Sequence, residues 1–126
     1  MSLRTPLSRV LGLGTARDGT GHFMAQRISA IALALLGSWF VMALAGMPGY
    51  AYLEVIRFVG QPTNAVLLTL TVLTLCYHSW LGVQVVIEDY ISTHSRRTVM
   101  LLLSNLLCLL LGTIGVVSVL KIAFGA

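Results

Sequence analysis

The sequence predicts an all-α integral membrane protein of three transmembrane helices, and three observations lead there. Of its 126 residues, 57% are hydrophobic and only 10% charged, with a mean hydropathy of +0.92. A chain this short has too little interior to hide that much apolar surface from water. The charges also withdraw from three long windows. The 20 residues Ile28 to Met47 carry no charge and no proline, 30 residues separate Arg57 from Glu88, and 23 separate Arg97 from Lys121. About 20 helical residues cross a ~30 Å hydrocarbon layer, so each window is long enough to span. Finally, the basic residues are asymmetric. Arg4, Arg9, Arg17, Arg27, Arg96 and Arg97 fall on one side of a three-span chain, and Arg57 and Lys121 on the other. The positive-inside rule then puts the N-terminus and the Glu88–Thr98 loop on the cytoplasmic or matrix side. The net charge of +4 follows from this bias and suits anionic head groups, so a nucleic-acid partner is not needed to explain it.

The elements follow in order. Residues 1–21 read as a polar, Gly-rich tail. Its "GLGTARDGTG" superficially suggests a phosphate loop, but no strand precedes it and no Gly-Lys-Ser/Thr follows. Residues 22–126 form the three-helix anchor domain. The first helix runs over about 23–46 and is stopped by Met47-Pro48-Gly49. Its apolar run is too long for the core of a cleavable signal peptide. Residues 48–62 carry Tyr50, Tyr52 and Phe58, aromatics suited to the opposite interface and compatible with a short surface helix. A second helix over about 63–90 starts at Pro62, and a third covers about 96–124. Cys76 and Cys108 lie within spans and form no C-x-x-C pair, so they read as small hydrophobes.

One residue breaks the apolar pattern. His78 lies inside the second span, and at 100° per residue Gly82, Val85 and Asp89 fall on its stripe. Asp89 is eleven residues further on, ~16 Å along the axis, so the imidazole lies near mid-membrane and Asp89-Tyr90 at the cytoplasmic edge. Gly82 leaves room for a flat group against the backbone. Polar groups in a span face protein or a cavity. His78 is therefore open to three readings: a hydrogen bond to a Ser, Thr or Asn105 of a neighbouring helix, an axial bond to haem iron, or a proton-relay or quinone contact. His22 and His94 lie at the membrane edges, so a second axial histidine would come from another chain. Glu88-Asp89-Tyr90 reads either as an interfacial cap or as a site where Tyr90 donates to a ligand carbonyl and Asp89 moves protons. Arg27 either snorkels or pairs with an anion such as a haem propionate.

"GHFMAQRISAIAL" (Gly21–Leu33) and "HSWLGVQVVIEDYI" (His78–Ile91), with its H-x-W-x-G-x(6)-D-Y pattern, resemble the hydrophobic membrane-anchor subunits of succinate dehydrogenase (respiratory complex II). The resemblance covers nearly the whole chain. It implies that His78 is one axial ligand of haem b, shared with the sister membrane anchor, the cytochrome b subunit. It implies that Tyr90 and Asp89 border the ubiquinone site and that Arg27 lies near the haem propionates. It also implies that the iron–sulfur and flavoprotein subunits dock on the side that the charge bias assigns to Asp89 and Tyr90. His22, Ser29 and Glu88 remain weaker candidates. The expected setting is the bacterial inner membrane, with the mitochondrial inner membrane second. Two other classes stay open: a cofactor-free structural or assembly anchor of another respiratory complex, and a di-haem quinol-oxidising cytochrome b, which would want more intramembrane histidines.

Overall fold

The computed structural model describes residues 19–125, all of whose regular structure is helical. Helix α1 is Gly19–Ala45, α2 is Tyr52–Gly60, α3 is Pro62–Tyr90 and α4 is His94–Ala123. The three long helices have 27, 29 and 30 residues and are each long and apolar enough to cross a membrane. The tail up to residue 18, with most of the "GLGTARDGTG" motif and Arg4, Arg9 and Arg17, lies outside the described residues.

Two helix starts differ from the expected ones. α1 already includes Gly19, Thr20 and Gly21, and α4 begins at His94 rather than Arg96. Composition argues against helix at glycines, by about 1 kcal/mol each relative to alanine. Near a bilayer, however, leaving a backbone group unpaired costs several kcal/mol, which favours continuing the helix. The short helix foreseen in the interfacial loop is α2, with Glu54 in its first turn and Arg57 in its last, each at the end its charge favours.

α3 is the middle of the assembly. α4 and α1 both pack on it, α2 touches α3 and α4, and α1 does not meet α4. The long helices run antiparallel: Gln26 and Ser29 of α1 lie level with Gly82 and His78 of α3. On the other side, Gly112 and Gly115 of α4 lie level with Cys76 and Val72. A β-carbon on Gly112 would be 3.4 Å from Cys76 Sγ. Small residues thus let the α3 and α4 backbones approach, as helix pairs without a hydrophobic driving force require. At the far end, Asn64 Nδ2 donates to Phe58 O at 2.9 Å and to Gln61 Oε1 at 3.2 Å, which ties the end of α2 to the start of α3. Pro62 occupies the first turn of α3, where its missing N–H costs nothing. At the near end, residues 91–93 join α3 to α4, and Arg97 Nε donates to Ile91 O at 3.0 Å across the turn.

The burial pattern is inverted relative to a water-soluble bundle. Ala65, Leu81 and Ile87 are the buried apolar side chains among the described residues, whereas Leu35 is 71% and Leu109 66% exposed. That surface is stable only against hydrocarbon or another apolar chain.

Candidate functional site

A polar contact inside the spans joins α1 to α3. Ser29 is the buried polar residue there, only 5% exposed, and its Oγ lies 2.9 Å from His78 Nδ1. The same hydroxyl donates to the Gln26 carbonyl one turn back, at 3.1 Å. Of the readings open for His78, a bond to a neighbouring helix is therefore present, and the partner is Ser29 rather than Asn105. Asn105 lies on α4, in a groove with Tyr77 and Trp80 on the other flank of α3. A neutral imidazole has two nitrogens, so this bond occupies one and leaves the other for different chemistry. His78 Nε2 makes no hydrogen bond to the described residues.

One turn beyond His78, Gly82 opens a groove of about 690 Å³ lined by His22, Phe23, Gln26, Gly82, Gln84, Val85 and Glu88. The space over Gly82 is partly filled from within the chain: a β-carbon there would meet the Gln26 amide at 3.7 Å. Gln84 Nε2 donates to Glu88 Oε1 at 2.9 Å. His22 Nε2 and Gln26 Oε1 are buried without a hydrogen-bond partner among the described residues. Buried polar atoms are nearly always paired, so these two mark a place that accepts another polar group.

His78, Gly82 and Val85 thus share the face toward α1, as their spacing predicts. The groove lining ends at Glu88, and Asp89 and Tyr90 stand at the helix terminus outside it, Tyr90 85% exposed. Arg27 is two residues from Ser29, on the opposite side of α1, with its guanidinium 5.0 Å from the centroid of the Phe23 ring. Arg27 and Tyr90 are therefore not brought to His78 by this chain, and both face outward. Composition alone passes over Gln26 and Gln84. The available signal is the i, i+4, i+7 series His22, Gln26, Ser29, a polar stripe on an otherwise apolar helix. No cluster of three or more metal-binding side chains occurs among the described residues.

A central helix flanked on two sides, apolar surface turned outward and a polar seam between α1 and α3 define a small multi-span membrane subunit. Residues 1–114 match the model of the succinate dehydrogenase/fumarate reductase transmembrane subunits, and the chain belongs to that family. It is 35% identical over 97 residues to a succinate dehydrogenase hydrophobic membrane anchor subunit of Rickettsia conorii, covering 76% of this chain and 77% of the relative. The protein of the same description from Rickettsia bellii is 33% identical over 107 residues, 85% and 86% of the two chains. That from Paracoccus denitrificans is 31% identical over 93 residues, 74% and 72% of the two chains. The chain is a membrane anchor within an enzyme complex, and its spans and relatives make it a bacterial membrane protein.

Proposed function

We propose that the chain is the hydrophobic membrane anchor of a succinate:ubiquinone oxidoreductase in the bacterial inner membrane. It holds the flavoprotein and iron–sulfur subunits on the cytoplasmic face and builds, with the sister cytochrome b anchor, a place for haem b and ubiquinone. The observation that carries this reading is an intramembrane imidazole with Nδ1 engaged and Nε2 free, beside the glycine-floored opening of the groove. These residues fit half of a bis-histidine haem site: His78 would hold the iron through Nε2, and a histidine of the sister anchor would complete the pair. Haem bound there supplies one-electron transfer. Arg27, facing away from α3, would be the residue to pair with a haem propionate. Tyr90 donates its hydroxyl proton in a hydrogen bond to a quinone carbonyl, and Asp89 beside it delivers protons from the aqueous edge as two electrons arrive.

The Ser29–His78 bond also suits a cofactor-free anchor in which His78 only ties α1 to α3. Reduced-minus-oxidised spectra of the purified complex separate the two readings. A b-type band in the wild type that disappears in His78→Ala is the expected result, while a band indifferent to His78 removes the haem assignment.

A further inference from the structure

Ser29 does more at His78 than join two helices. A serine hydroxyl has one proton and two lone pairs. Oγ lies within hydrogen-bond distance of two groups at once, the Gln26 carbonyl at 3.1 Å and His78 Nδ1 at 2.9 Å. The carbonyl can only accept. If the hydroxyl proton pointed at Nδ1, the contact with the carbonyl would be between two unshared pairs. If it points at the carbonyl, Nδ1–H donates to Oγ and both contacts are hydrogen bonds. Inside the hydrocarbon layer water is too scarce to repair a bad contact, so the fully satisfied arrangement prevails.

From this accounting we infer that Ser29 is a positioning residue: through the relay Nδ1–H to Oγ to Gln26 C=O it holds His78 in the Nδ1–H tautomer and keeps Nε2 bare as a ligand nitrogen. The inference deepens the haem reading above and rests on it for its consequence, though the tautomer itself does not require haem. The acceptor is a neutral hydroxyl already committed to a carbonyl, not a carboxylate. It therefore orients the ring while drawing little anionic character onto it, and an outer partner of this kind sets both ligand orientation and iron affinity.

The test uses Ser29→Ala, which keeps a small side chain, and Ser29→Thr, which restores the hydroxyl. The full chain, labelled with ¹⁵N-histidine in lipid bilayers, carries only 3 histidines, and subtraction of a His78→Gln sample assigns the signals of His78. The expected wild-type pattern is Nδ1–H with Nε2 unprotonated, lost as a single state in Ser29→Ala and regained in Ser29→Thr. In the purified complex, Ser29→Ala is expected to retain haem about tenfold or more weakly and to raise its half-reduction potential slightly, because a neutral acceptor adds only a little to the ligand's donation to iron. Ser29→Thr returns both toward wild type. A wild-type Nε2–H tautomer overturns the inference. So does a Ser29→Ala protein that matches wild type in tautomer and potential, the result expected if Ser29 only packs. A b-type band that ignores His78 would sink the haem reading instead, and the nitrogen spectra would still decide the role of Ser29.

Discussion

Gly115 of α4 stands so close to Val72 of α3 that a β-carbon on it would lie 2.8 Å from Val72 Cγ1. Real β-carbons do not come that near, and a valine side chain branches at its own β-carbon and has little freedom to withdraw. Gly115→Leu is therefore expected to force α3 and α4 apart and to destabilise the protein by about 1–3 kcal/mol, the usual cost of overfilling a packed contact. Gly37→Ala is the matched control, since nothing lies within 4 Å of its added carbon. Thermal stability of the purified complex checks both. Equal melting of Gly115→Leu and wild type would mean that the α3–α4 seam is not tightly packed.

One side chain, Asn64, ties the end of α2 to the start of α3. Asn64 Nδ2 reaches Phe58 O and Gln61 Oε1, and a net hydrogen bond contributes about 1 kcal/mol. Asn64→Leu removes both donors and is expected to release α2 without unfolding the spans. Amide hydrogen exchange should accelerate several-fold across Tyr52–Gly60 and stay unchanged in the middle of α3. Uniform acceleration along the whole chain would show instead that Asn64 supports the global fold.

What the residues make legible is set by how strongly each feature departs from lipid solubility. The charge-free windows delimit three spans because a charged side chain at the bilayer centre is expensive. His78 stands out for the same reason, and Gly82 and Val85 share its face because helical geometry leaves no choice. The rotation of α1 and α4 about their own axes is less legible, since both are mostly apolar and no wet face orients them. The series His22, Gln26, Ser29 marks Ser29 as a candidate but not as the partner of His78, whereas Ser38 and Ser118 bond back to Ala34 and Ile114 within their own helices. Only the position of α3 reveals which serine meets His78. Arg27 and Tyr90 face outward, and no contact within the described residues draws them toward His78.

The charge bias makes a prediction about sidedness that bond geometry leaves open. Tyr50 and Ser92 lie at opposite ends of the bundle, before α2 and between α3 and α4. Both are exposed. A membrane-impermeant thiol reagent added to intact cells is expected to label Tyr50→Cys and spare Ser92→Cys, with the pattern reversed in inside-out vesicles. The native Cys76 and Cys108 sit within α3 and α4 and are only partly exposed, so they should contribute little background. Labelling of Ser92→Cys from outside would invert the topology and remove the face on which the catalytic subunits are placed.

Tyr90 offers the sharpest test of the quinone assignment. It is the last residue of α3, 85% exposed and with its ring directed away from the chain. The backbone beneath it is held by the Ile91 N–H bond to Ile87 O at 3.0 Å and by Arg97 across the turn. Loss of the phenolic hydroxyl should therefore change chemistry without moving the helix end. In the assembled complex Tyr90→Phe is expected to lower ubiquinone reductase turnover by about 10²-fold or more, the usual size of a lost proton-handling or carbonyl-polarising contact. Succinate oxidation by an artificial acceptor that bypasses the membrane site should persist, because the dicarboxylate chemistry belongs to other subunits. A parallel fall in both assays would mean that Tyr90 secures the docking of those subunits, and unchanged turnover in both would return Glu88-Asp89-Tyr90 to the role of an interfacial cap.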